Sequence, residues 1–84
     1  EAKYVAQIEF NIEMAPWVAH IHWHSEQTIE PIDDQHILMT IPYNHSDELI
    51  ADILSYGPAA KVIGPDDLRA QLKSTLKATE KNYL

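Results

Sequence analysis

The sequence predicts an α+β domain in which two helices cover one face of a four-stranded antiparallel sheet. Three observations support this: apolar residues alternate with a period of two in some segments, they recur every three to four residues in others, and turn residues separate the segments. The segments follow the order strand, helix, strand, strand, helix, strand, with an extra helix at the end. Split βαβ units have this order, so we expect a ferredoxin-like βαββαβ fold with an added C-terminal helix.

The first strand and the first helix occupy the start of the chain. From Tyr4 to Phe10, side chains alternate as in a strand that has one face on a core. A helix with Pro16 near its first turn should follow, because apolar residues then fall at i, i+3, i+4 and i+7, namely Met14, Trp17, Val18 and Ile21. This helix ends between residues 22 and 26, and its pattern places Trp17 in the core.

A hairpin is predicted next. Thr28 to Ile32 forms its first strand, which must lie at an edge or a bulge because Pro31 has no backbone N–H to donate. Residues 33–35 form the turn, and His36 to Ile41 forms the second strand. Residues 42–44 then lead the chain out of the hairpin.

The second helix and the fourth strand lie between residues 46 and 63. Ser46 is the predicted N-cap, and one face of the helix is apolar through Leu49, Ile50, Ile53 and Leu54. Gly57 can adopt the left-handed conformation that ends a helix, and Pro58 prevents its continuation. Residues 60–63 then form a short strand.

The last helix follows a turn at Gly64. Pro65 suits its first position, and Asp66 and Asp67 place negative charge on its first turn. Leucines then recur every four residues, at Leu68, Leu72 and Leu76.

One face of the predicted sheet needs a partner. If the alternation in the strands holds, Val5, Leu38 and Ile63 point to the face that lacks the two crossover helices. Either the last helix or another copy of the chain should cover such a face.

Length and composition indicate one small domain that spans residues 1–84 without an internal boundary. The apolar share is 45%, as in folded chains, and the absence of cysteine fits a reducing cytoplasm. No apolar run is long enough for a membrane span and no signal peptide is visible, so we expect a cytoplasmic protein without membrane contact. Since the chain opens with Glu1, we expect a fragment of a longer protein.

The charge is uneven along the chain. The net charge is −7, yet residues 66–84 carry four bases against three acids, whereas residues 1–65 carry two bases against ten acids. The four bases form an i, i+4 row on the last helix: Arg69, Lys73, Lys77 and Lys81. This row is either a solvated face or a strip that meets an acidic surface of a neighbouring subunit or the phosphates of a nucleic acid. The acidic remainder argues against DNA binding by the rest of the domain.

Trp23 and three histidines are the other candidates for function. Trp23 lies just outside the helix pattern, so it belongs either to the core or to a contact with another domain or subunit. His20, His22 and His24 invite a metal site, but residues two apart on a helix point about 200° away from each other, and we expect a polar turn without metal.

Catalysis has little support in the sequence. The serines lack a nucleophile motif, there is no cysteine, and two glycines cannot build a phosphate-binding loop. We therefore expect no catalytic residues, no cofactor and no enzyme activity.

The chain resembles a known family in the order of several short motifs. These are Trp23 followed by Gln27, a helix that ends in Ser55-Tyr56-Gly57, Val62 at the centre of a short strand, and Gly64-Pro65-Asp66-Asp67-Leu68-Arg69 at a helix start, with Tyr83 near the end. In this pattern the chain resembles the C-terminal extension (WCX) domain of WYL-domain transcriptional regulators. The resemblance implies a ferredoxin-like fold and mainly structural roles for Gln27, Tyr56, Gly57, Val62, Pro65 and Leu68.

The resemblance also implies a function. Such regulators carry an N-terminal helix-turn-helix that reads DNA and a central WYL domain that binds a nucleic-acid or nucleotide-like effector, so DNA would bind the full-length protein rather than this domain. We expect this piece to join subunits into a homodimer or higher oligomer and to couple effector sensing to DNA binding. The candidate contacts with a partner or effector are Trp23, Arg69, Lys73 and Lys77.

Two alternatives stay open. The chain could be a small-molecule-binding ferredoxin-like regulatory domain that is fused to an enzyme, in which case a catalytic domain would replace the helix-turn-helix. It could also be a dimerisation module without any ligand.

Overall fold

The computed structural model describes residues 3–84. Strand β1 spans Tyr4–Asn11, β2 spans Thr28–Pro31, β3 spans His36–Tyr43 and β4 spans Ala60–Gly64. Helix α1 spans Ala15–Val18, α2 spans Ser46–Leu54 and α3 spans Asp66–Glu80, while short 3₁₀ turns occupy Ile12–Met14, Gly57–Ala59 and Lys81–Tyr83.

The four strands form one antiparallel sheet in the order β2-β3-β1-β4. Strand β1 pairs with β3 over its whole length, from Tyr4 opposite Tyr43 to Asn11 opposite His36. Strand β3 therefore separates β1 from β2, and β1 separates β3 from β4. This confirms the predicted α+β fold and four-stranded antiparallel sheet, and the order is compatible with a ferredoxin-like arrangement.

The core lies on one face of the sheet. The alternating pattern in β1 and β3 places every second side chain on this face, as predicted. The sheet contributes Ala6, Ile8, Phe10, Ile37, Met39, Ile41, Tyr43 and Val62. The helices contribute Val18, Leu49, Ile50, Ile53 and Leu68. Because no polar or charged residue among residues 3–84 is buried, this small core is held by apolar contacts alone.

Helix α1 is shorter than predicted, and the prediction that Trp17 lies in the core is wrong. Trp17 is 63% exposed, whereas Val18 is fully buried. The α-helix ends at Val18, and the backbone N–H groups of His20 and Ile21 bond three residues back, as in a 3₁₀ turn. Trp17 lies about 100° from Val18 around the helix axis, at the edge of the apolar stripe. Val18 and Ile21 therefore pack on the core while Trp17 faces outwards.

Two predicted helix starts are wrong by one residue. Ser46 is the first residue of α2 rather than its N-cap, because His45 precedes it with extended backbone. Pro65 is the residue before α3 rather than its first residue, because the helix begins at Asp66. Gly57 has φ +56° and follows the end of α2, which confirms the predicted left-handed stop.

The two prolines in the hairpin lie where the sheet has room for them. Pro31 is on the edge strand β2, as predicted. Strand β3 continues to Tyr43, two residues beyond its predicted end, and thus includes Pro42. Since β2 begins at Thr28, opposite Thr40, Pro42 has a strand neighbour only on the β1 side, where it faces Val5.

The opposite face of the sheet is left uncovered by α3. Val5 is 57% exposed and Ile63 is 37% exposed, the latter as the extra residue of a bulge between β1 and β4. Helix α3 packs its first turns on the core through Leu68, but Leu76, two turns later, is 50% exposed. Leu72 still packs against the core, so the apolar face of α3 becomes half exposed only at Leu76.

Candidate functional site

Gln27 organises the segment between α1 and β2. Its side-chain oxygen accepts hydrogen bonds from the backbone N–H groups of Trp23 and His24, at 3.0 Å and 3.1 Å. Its side-chain nitrogen donates to the carbonyl of Ile21 at 2.6 Å. One partly buried amide thus satisfies three backbone groups and fixes a segment that has no regular secondary structure of its own.

Trp23 joins this segment to the core through an aromatic chain. Its ring meets Tyr56 edge-on at 6.1 Å between centroids, and Tyr56 meets Phe10 edge-on at 5.5 Å. Trp23 is partly buried and packs against the core cluster. The structure therefore gives Trp23 a packing contact on one side while the other side lines a cleft.

This cleft, of about 210 Å³, lies between the Trp23 segment, the end of β3 and the outer face of α2. Its rim carries two carboxylates, Glu48 and Asp52, which are one helical turn apart on α2 and exposed. The sequence shows the i, i+4 spacing of these acids. It does not show that Trp23 lies beside them, because that contact joins segments that are 25 residues apart.

The basic row lies on a different part of the surface. Arg69, Lys73 and Lys77 are exposed on α3, and none of them forms an ion pair within residues 3–84. The neighbouring Gln71 donates from its side chain to Asp47 at the start of α2, at 3.2 Å. Because residues two apart on a helix differ by about 200°, Arg69 and Lys73 face away from α2. The candidate contacts therefore fall in two groups, Trp23 at the cleft and the row on α3.

A second cleft of about 210 Å³ separates the first turns of α3 from the ends of β1 and β3. Tyr4 and Tyr43 stack there at 5.4 Å between ring centroids. Burial, and then the nearby charge of Asp67, raise the pKa of Tyr43 above its ordinary value. The phenol of Tyr43 therefore stays neutral, and the carboxylate of Asp67 lines this cleft together with hydroxyl and amide groups.

The remaining residues of the family pattern lie in or beside the core. Val62 and Leu68 are buried, Tyr56 is partly buried under Trp23, and Gly57 and Pro65 mark the end of α2 and the start of α3.

The histidines do not assemble into a cluster. The Nδ1 atom of His24 accepts the backbone N–H of Glu26 at 3.0 Å, and His20 and His22 are exposed in the same segment. Within residues 3–84 no three His, Asp or Glu side chains are placed to hold a metal ion. In the same part of the chain no helix is long and apolar enough to cross a bilayer.

Comparison with protein-family models matches residues 2–79 to the WCX domain. No curated protein matches the chain.

Proposed function

Since this chain belongs to the WCX domain family, we propose that it joins the subunits of a WYL-type DNA-binding transcriptional regulator and couples effector sensing to DNA binding. The family places the chain as a C-terminal module of such a regulator. Our proposal adds the two roles of that module, which are subunit association and the transmission of the effector signal.

The observation that carries this proposal is the apolar surface that the folded domain leaves open. Val5 and Ile63 are exposed on the sheet, and Leu76 and Tyr83 are exposed towards the end of the chain. Apolar side chains on two separate surfaces of so small a domain favour contacts with other protein surfaces. A module with two such surfaces can touch a second subunit and an upstream domain of its own chain at the same time.

The charge supports a role in protein contacts rather than in DNA reading. The chain carries a net charge of −7, and its ten acids in residues 1–65 would repel phosphates. We therefore propose that an upstream helix-turn-helix contacts DNA and that a WYL domain supplies the positive groups for a nucleic-acid or nucleotide-like effector. A regulator of this kind works in the cytoplasm, where its DNA is.

The proposed mechanism is a change of packing between domains. An effector bound to the WYL domain would favour one arrangement of that domain against the exposed sheet face, and the joined subunits would pass the change to the DNA-binding end. Such coupling requires that the effector bind the two arrangements with different affinity.

The test compares the isolated chain with the same regulator in full length. Light scattering with size exclusion should show that the isolated chain associates, and its removal from the full-length protein should convert oligomers to smaller species. The truncated regulator should also lose the effect of its effector on operator affinity. An unchanged subunit number together with an unchanged effector response would overturn the proposal, and an upstream catalytic domain in place of the helix-turn-helix would favour a regulatory domain of an enzyme.

A further inference from the structure

Helix α2 presents an acidic pair that has no cationic partner among residues 3–84. Glu48 and Asp52 are exposed, and among residues 3–84 the only ion pair joins Asp33 and His36. The two carboxylates lie about 6 Å apart along the helix axis, and like charges at this spacing repel each other. A pair of cations at the same spacing would remove this repulsion.

Helix α3 presents cations at that spacing. Lys73 and Lys77 are exposed and follow each other by one turn, with Arg69 one turn before them. The hydrogen bond from Gln71 to Asp47 marks the side of α3 that faces α2. Around the helix axis, Lys73 lies about 160° from Gln71 and Lys77 about 120° from it. Both lysines therefore point away from α2 of their own chain, and neither forms an ion pair with Glu48 or Asp52.

Apolar groups lie beside both the acidic pair on α2 and the basic row on α3. Leu76 is 50% exposed and lies about 60° from Lys73 around the helix axis. The cleft beside Glu48 and Asp52 has the ring of Trp23 in its wall and a volume of about 210 Å³. Each charged row is thus adjacent to an apolar group that can exclude water from a contact.

We propose that α3 of a second copy of the chain lies along α2, with Lys73 and Lys77 opposite Glu48 and Asp52 and Leu76 at the cleft beside Trp23. A two-fold axis would repeat the contact, so that each copy gives one acidic row and one basic row. This inference rests on the proposed function, since it names the surface through which subunits associate. Exposed charge pairs mainly set orientation and partner choice, while the apolar contact supplies affinity.

The test uses charge reversal in two separate chains. The acid variant carries Glu48→Lys and Asp52→Lys, and the base variant carries Lys73→Glu and Lys77→Glu. Each variant alone would place like charges opposite each other, so we expect its dimer dissociation constant to rise by about tenfold or more. Mixed in equal amounts, the two variants should form a heterodimer, because both copies of the contact then join opposite charges.

Two controls make the result specific. Glu13→Lys with Asp34→Lys changes the net charge of the chain by the same amount at exposed acids elsewhere and should leave the dimer intact. Since Glu48→Lys removes an acid from the first turn of α2, circular dichroism should establish that each variant is folded. If the reversed variant does not fold, Glu48→Gln with Asp52→Asn provides a neutral test with a smaller expected loss.

The outcomes separate this inference from the proposed function. Dimers that persist in both variants, or variants that do not pair when mixed, would overturn the α2 to α3 contact while leaving association itself in place. A wild-type chain that is monomeric at every concentration would overturn both. If the base variant instead loses binding to an oligonucleotide while its dimer is unchanged, Lys73 and Lys77 bind phosphates and the inference is wrong.

Discussion

The backbone N–H of Trp23 donates to the side-chain oxygen of Gln27 at 3.0 Å, across four residues of a segment without regular secondary structure. The same side chain also accepts from His24 and donates to Ile21. A single amide therefore holds the wall of the cleft in place. Much of the stability of this part of the surface should depend on it.

Replacement of Gln27 by alanine should destabilise the domain by about 1–3 kcal/mol, because three partly buried backbone groups lose their partner. Urea unfolding monitored by circular dichroism would measure the loss. Gln35→Ala is the matched control, since its side chain is exposed in the hairpin turn. If both variants lose the same small amount of stability, the three hydrogen bonds of the Gln27 side chain do not contribute to the stability of the fold.

The two tryptophans should respond differently to truncation. Trp23→Ala removes a ring that packs on Tyr56 and should cost about 2–3 kcal/mol, whereas Trp17→Ala removes an exposed ring and should change stability by less than about 0.5 kcal/mol. Fluorescence supplies a second measurement. Emission from Trp23 in a Trp17→Phe chain should lie at shorter wavelength than emission from Trp17 in a Trp23→Phe chain. Equal costs for the two alanine variants would contradict the packing of Trp23.

The strands could be predicted from the sequence because each has its own local pattern. The alternation of apolar residues around Ile8 and around Met39 predicts which side chains face the core, and this prediction needs no information about the neighbouring strand. The position of Trp17 could not be predicted in this way, because Trp17 lies at the edge of the apolar stripe and the packing of α1 on the sheet decides which residues of that stripe are buried. The motifs indicated the family, which the family comparison then showed.

The cleft is beyond what the sequence could show. From the sequence, Glu48 and Asp52 are expected to be ordinary surface acids of α2, and Trp23 is expected to lie just after a helix. In the structure all three line the same cleft. Only the folding of the Gln27 segment against α2 brings them together. Likewise, the row on α3 is visible in the sequence, but its direction away from α2 follows from the tertiary contact of Gln71.

Gly57 should tolerate alanine poorly for a conformational reason alone. Its φ is +56°, and a Cβ there would meet no atom within 4 Å, so the cost of Gly57→Ala should be about 1–2 kcal/mol of backbone strain. Gly64→Ala is the control, because that site also has open space but lacks the positive φ. Thermal unfolding of the two variants should show a loss at position 57 only, and equal melting temperatures would disprove the explanation.

Asp33 should make the stability of the hairpin turn depend on pH. The Gln35 backbone N–H, at 2.7 Å, and then the His36 side chain hold the pKa of Asp33 below its ordinary value of 3.8. A carboxyl whose pKa is lowered by folding stabilises the folded state above its unfolded pKa, and this contribution disappears as the pH falls through the folded pKa.

The stability difference between wild type and Asp33→Asn should therefore be present near neutral pH and shrink as the pH falls below about 4. Chemical unfolding at a series of pH values would measure it. Asp34→Asn is the control, as Asp34 is exposed in the same turn. A difference that stays constant with pH would show that the charge of Asp33 does not contribute.

Replacement of two leucines of α3 should affect different quantities, the stability of the fold for Leu68 and the association of two copies for Leu76. Leu68 is 1% exposed in the core, so Leu68→Ala should cost about 2–4 kcal/mol of unfolding free energy. Leu76 is half exposed, so Leu76→Ala should change the stability of the monomer by less than about 0.5 kcal/mol, yet weaken the association of two copies. Unfolding measured at low protein concentration reports the first quantity, and sedimentation equilibrium reports the second. A Leu76 variant that loses monomer stability but keeps its dimer would place this side chain in the fold rather than at the contact.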